Sequence, residues 1–132
     1  MDETSSIVSS IKDGWTQFES GKYSDSRQSF NNAMNKARVH VAYDSIYGES
    51  MHGRGWAALF NTASNNNALA AYNDFVATAK DYNNKVSDAS LLDCLAGKAI
   101  SGVLIGSSVE RYQSVVSAAI AVLSESQYYE FS

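Results

Sequence analysis

Apolar residues recur along this chain at helical spacing almost without a break, and six amphipathic segments account for most of them. From Glu3 to Ser20, the residues Ile7, Ile11, Trp15 and Phe18 fall on one stripe of a helix, and Ser20-Gly21-Lys22 supplies a glycine stop. A second helix, Ser24 to His40, buries Phe30, Ala33, Met34 and Ala37; Ser24 suits the N-cap, with Asp25 against the positive end of the helix dipole. A third, Tyr43 to Thr62, presents Tyr43, Tyr47, Met51, Ala58 and Leu59. Gly48, Gly53 and Gly55 each weaken its helix propensity by up to about 1 kcal/mol. Close approach of a neighbouring helix backbone would account for glycines there.

Asn65-Asn66-Asn67 reads as a turn, since asparagine tolerates left-handed backbone and can cap the next helix. The fourth helix then runs from Asn67 to Tyr82 with Leu69, Tyr72, Phe75, Val76 and Ala79 inward. Ser87 or Asp88 opens a fifth, which turns Leu91, Leu92, Leu95, Ile100, Val103 and Leu104 inward and stops near Gly106. Ser107 or Ser108 opens a sixth, with Val109, Tyr112, Val116, Ala119, Ile120 and Leu123 facing in and Glu110 beside the dipole. An aromatic tail, residues 127–132, is placed by no periodicity.

These segments pair. Gly14-Trp15 and Phe18 are followed about 42 residues later by Gly55-Trp56 and Phe60, then by Ala68, Tyr72 and Phe75 at nearly matching offsets. A third copy passes through Leu104, Val109, Tyr112, Val116 and Ala119. Such a period marks stacked helical hairpins. The expectation is an all-α single domain over 1–132, built from three antiparallel helix hairpins of about 3–40, 43–82 and 87–126. Trp15, Phe18, Gly21, Tyr23, Phe30 and Ala33 together resemble the tetratricopeptide repeat. The Gly-Trp-x-x-Phe-x-x-Gly-x-Tyr form, the second Gly-Trp and the aromatic ending are similar to small three-repeat tetratricopeptide lipoproteins of bacterial envelopes. The resemblance implies a right-handed solenoid whose first helices line a partner-binding groove. It also implies a periplasmic or envelope setting if a signal segment was removed, and otherwise a cytoplasmic one. The chain departs from the pattern at Ser26, where alanine is usual, and in having no proline; its repeats also exceed thirty-four residues, and the third lacks the Trp, Gly and Tyr signature.

Composition narrows the partner. The formal net charge is −4 and the ten Lys and Arg residues are scattered, so the clustered cations that phosphate backbones or anionic membranes need are missing. No apolar run reaches the ~18 residues of a membrane span. The N-terminal residues Met1 to Ser6 lack the basic and apolar regions of a signal peptide, and there is no Asn-x-Ser/Thr acceptor. Cys94, alone in an apolar run, reads as an inert core thiol.

Candidate chemistry fails on detail. Gly97-Lys98 lacks the glycine five residues earlier, where Leu92 stands, and the hydroxyl residue after the lysine, where Ala99 stands, so it is no phosphate loop. His40 and His52 stand at no metal-ligand spacing, and Asp81 to Asp88 lacks the central glycine and closing glutamate of a calcium loop. No serine sits in a nucleophile elbow. No cofactor, metal or enzymatic activity is expected. Trp15 with Phe18, and Trp56 with Phe60, each share one helix face, and two roles are open to them: core packing, or an aromatic groove flanked by Gln17, Glu19, Arg54 and Asn61 that accepts a peptide. The function expected is a non-catalytic scaffold for a peptide or protein partner. The alternative is a self-associating subunit of an oligomer or filament, docking through the tail or the small-residue face of helix six.

Overall fold

The computed structural model describes residues 3–39 and 41–125; His40 and the tail at 127–132 lie outside them, as does the side chain of Leu123. The helices are α1 (Glu3–Glu19), α2 (Tyr23–Ala37), α3 (Asp44–Phe60), α4 (Asn67–Asp81), α5 (Asp88–Leu104) and α6 (Val109–Glu125), with a 3-10 turn at Val41–Tyr43. Among the described residues there are no strands, and the six-helix, all-α expectation holds.

The boundaries follow local chemistry. Gly21, at φ +76, ends α1 with two bonds: its N–H reaches the Phe18 carbonyl (3.0 Å) and the Lys22 N–H reaches that of Gln17 (2.9 Å). This tight exit starts α2 at Tyr23, so Ser24 lies inside the helix and the N-cap position belongs to Lys22, which makes no side-chain cap. Ser87 caps α5 by accepting from the Ser90 N–H at 3.1 Å. In the turn after α3, Asn65 donates to the Ser107 carbonyl (2.6 Å), which fastens the α3–α4 turn to the α5–α6 turn, and Asn67 closes the turn on itself by donating to the Asn61 carbonyl (2.8 Å).

α2 packs on both α1 and α3, and α4 packs on both α3 and α5, while α1, α3 and α5 lie side by side. One device repeats at both steps. The Phe30 ring of α2 lodges between Gly14 of α1 and Gly53 of α3; the Phe75 ring of α4 lodges between Gly55 of α3 and Gly97 of α5. A Cβ added at any of these four glycines would come within 2.5–2.8 Å of a ring atom. The helix-three glycines therefore admit side chains rather than a neighbouring backbone: Phe30 at Gly53, Phe75 at Gly55, and Val86 with Tyr82 at Gly48. Buried Ser26, in a position where the repeat pattern favours alanine, donates to the Gly14 carbonyl at 2.7 Å and ties α2 to α1.

α3 touches every other helix and buries eleven of its seventeen residues. With α2 and α4 behind it and α1 and α5 at its flanks, α6 meets the side left over. It arrives through Tyr112, whose hydroxyl donates to the Leu59 carbonyl at 2.7 Å, and through buried Val116. This placement changes which residues of the third pair are interior. On α5 the inward residues are Cys94, Gly97, Ser101 and Leu104, whereas Leu92, Leu95 and Val103, expected inward, are 67%, 48% and 60% exposed. Phe75 fills the space beneath Gly97, so small residues stand at the middle of that side; Leu104 turns in beyond them, and Leu92 and Leu95 turn out. Leu69 and Val109, also expected inward, are exposed; on α4 the interior stripe runs through Ala68, Ala71, Phe75 and Thr78.

Candidate binding cleft

On the side of α1, α3 and α5 that faces away from α2 and α4 lies a cleft of about 500 Å³. Successive turns of α1 supply Val8, Ile11, Lys12, Trp15, Thr16 and Glu19; the first two turns of α3 supply Ser45, Ile46 and Glu49; the start of α5 adds Ser87 and Ser90. Its volume falls in the range of ligand-sized pockets, and its walls combine an apolar floor with a few polar groups at the rim.

Each apolar member is held from behind. Ile7 of α1, fully buried against Ala33 and Ala37, seats α1 on α2 and leaves Val8 and Ile11 to the open side. Trp15 is half-buried, with the rings of Phe30 and Phe18 edge-on at 4.9 and 5.6 Å and the His52 imidazole at 5.7 Å. Such contacts fix the indole in one orientation at little entropic cost. The rim is also ordered. The Glu49 carboxylate accepts from the Ser87 N–H (3.0 Å) and the Ser90 hydroxyl, so an anion on α3 closes the positive N-terminus of α5. Lys12 and Glu19 stand exposed at the mouth.

His52 lies beside the cleft, buried, with Nε2 3.5 Å from Asp93 Oδ2 and neither ring nitrogen hydrogen-bonded. Cys94 is fully buried, and burial foremost, then the Asp93 charge, push its thiol up to about 12 despite a hydrogen bond with Thr78. Among the described residues no group of three or more His, Cys, Asp or Glu could hold a metal ion, and no helix is long and apolar enough to cross a membrane.

Of the residues singled out in the sequence, Trp15 and Glu19 line this cleft. Phe18, Trp56 and Phe60 are core: Phe18 and Phe60 stack at 5.2 Å, and Trp56 meets Phe60 and Phe75 edge-on. α6 and the neighbouring rings occupy the half of the groove where they would have been accessible. Arg54 points the other way, toward α2 and α4, with Nε and Nη2 on the two Asp74 oxygens (2.9 and 2.8 Å) and Nη1 on Asn31 (2.9 Å). Asp74 raises the Arg54 pKa further above its already high value. Asn61 serves the turn, its Oδ1 accepting from the Ala63 N–H at 3.1 Å, and the Gln17 amide bonds the Ser29 hydroxyl of α2 at 2.6 Å. Val8, Ile11, Ile46 and Glu49 were not singled out as site residues. The alternation of exposed Val8 with buried Ile7 was their one signal, and it becomes readable only once the face covered by α2 is known.

Comparison with protein-family models, with curated proteins and with solved structures finds no match to this chain. The functional reading therefore rests on geometry.

Proposed function

We propose that this protein is a non-catalytic, tetratricopeptide-like scaffold that holds a short apolar segment of a partner protein in the cleft between α1 and α3. One observation carries the reading: Val8, Ile11, Trp15 and Ile46 form an open apolar floor on the side where helical-repeat scaffolds receive peptides, and Val8 keeps 51% of its surface exposed. Isolated exposed apolar residues need no explanation, but a concave group of four backed by a rigid aromatic cluster does. Lys12 and Glu19, two turns apart on the α1 wall, give an extended peptide a charge of each sign beside its apolar anchor. The Cys94 thiol is fully buried and the His52 imidazole is enclosed outside the cleft's lining, in keeping with binding rather than chemistry.

The test is selection from a random peptide library on the whole chain. The expected winners carry one or two large apolar side chains, and their binding falls at least tenfold in Ile46→Arg while the circular dichroism of that variant is unchanged. Peptides that bind Ile46→Arg as well as the parent would end this reading.

A further inference from the structure

α5 is apolar on two opposite faces, and the fold covers one of them. Cys94, Gly97, Ser101 and Leu104 turn to the interior, and half a turn away Leu92, Leu95, Ala96, Ala99 and Val103 form an exposed stripe. The repeat geometry identifies that stripe. Gly53 of α3 and Gly97 of α5 both receive the ring of the preceding second helix, so the two helices correspond with an offset of 44 residues. By that offset, Gly48, Met51, Gly55 and Leu59 of α3 become Leu92, Leu95, Ala99 and Val103. On α3 this face is where α4 docks, as Gly48 and Gly55 against Tyr82 and Phe75 demonstrate. On α5 it stands open, while α6 reaches α3. A second apolar stripe of this length on one helix is a surface to be covered.

We infer that this face is the contact of a two-fold homodimer in which α5 packs antiparallel against α5 of a second copy. Three features favour a second copy. The stripe is self-complementary in size: in an antiparallel pair centred between Ala96 and Ala99, Leu92 falls opposite Val103 and Ala96 opposite Ala99 of the other chain, and the alanines let the axes approach to about 8 Å. Its one charge is Asp88, at the N-terminal end; antiparallel pairing sets the two copies of Asp88 about 28 Å apart at 1.5 Å per residue, whereas parallel pairing would juxtapose them. A two-fold axis uses the same patch twice, so it leaves no second apolar surface open for further growth. One helix face is smaller than the ~800 Å² per partner of a permanent interface, so association is reversible and depends on concentration.

Sedimentation of the whole chain over a range from low micromolar to millimolar is expected to show mass rising from monomer toward dimer. Leu92→Glu and Leu95→Glu are expected to stay monomeric with an unchanged thermal transition, because both side chains are already exposed in the monomer. Val122→Glu, exposed on α6 and off the stripe, and Val8→Glu in the cleft are expected to dimerise normally, so loss of peptide binding and loss of dimer are read separately. Spin labels on Ala99→Cys should lie close across the pair, and labels on Asp88→Cys far apart; Cys94 is buried and leaves the added thiol as the reactive one. A monomer at every concentration, a dimer that survives both glutamates, or short distances at both labels overturns the inference.

Discussion

Gly53→Ala adds one methyl group to a helix interior, a change that ordinarily stabilises. Alanine exceeds glycine in helix propensity by about 1 kcal/mol, and Gly102→Ala on α5 should show that gain, because its added Cβ meets only Tyr72 at an ordinary 3.4 Å. At Gly53 the same Cβ lies 2.5 Å from Cε1 and Cζ of Phe30. The ring cannot retreat, since its other side rests on Gly14, where a Cβ would already stand 2.8 Å away. Overpacking of a tight core costs about 1–3 kcal/mol, and a ring held on both sides belongs at the upper end. After the propensity gain is subtracted, a net loss of about 2 kcal/mol is expected. Urea unfolding followed by circular dichroism at 222 nm reads this from the midpoint, provided the slope is unchanged. Phe30→Leu, itself destabilising, should cost less in the Gly53→Ala background than alone, with a coupling of about 1 kcal/mol or more. If Gly53→Ala matches or exceeds the parent, or behaves like Gly102→Ala, the ring-between-glycines account of the packing is wrong.

Other consequences are equally accessible. Arg54→Ala leaves Asp74 partly buried without its bidentate partner, and a loss of about 2–3 kcal/mol is expected, less than for a fully enclosed pair because the guanidinium keeps a quarter of its surface in water; a change below 0.5 kcal/mol in urea would contradict it. Cys94 and Tyr112 are both pushed up to about 12, from 9.0 and 10.0, in each case foremost by burial. Their folded-state values are raised, so their contribution is complete below pH 9 and is lost as pH climbs toward 12, at about 1.4 kcal/mol per unit for each group once past its unfolded value. Stability measured from pH 8 to 11.5 should fall with that slope, and Cys94→Ala should flatten it even though the variant starts less stable; an unchanged slope would refute the assignment. Tyr112→Phe removes the bond to the Leu59 carbonyl and should cost about 1 kcal/mol at neutral pH by the same urea assay.

Much of the fold was legible because its signals are local. Helix periodicity, the Gly21 stop and the Ser87 cap each depend on a few neighbouring residues, and each helix begins and ends within a few positions of where those signals put it; the asparagine turn stands where expected, but none of its residues is left-handed and Asn66 makes no side-chain cap on α4. What escaped is what depends on the neighbour. Leu92, Leu95 and Val103 look like core residues by composition, but Phe75 occupies the space under α5 and selects glycine and serine there instead. The glycines of α3 announced a close approach without saying that aromatic rings make it. For the site, Trp15 could be read as groove or core, and the structure gives it part of each role: rings on one side, cleft on the other. Its counterpart Trp56 is interior in a helix that five others surround. Arg54 carried no sign in the sequence of the Asp74 partner, twenty residues away, that turns it from the groove.

Nitrogen-15 chemical-shift mapping of the whole chain, titrated with a library-selected apolar peptide, tests the central claim most directly. The account requires the largest shifts at the Trp15 indole and at the amides of Val8, Ile11 and Ile46, with saturation and with loss in Ile46→Arg. Shifts centred on Leu92 to Val103, or spread without a centre while the peptide still binds, would contradict it.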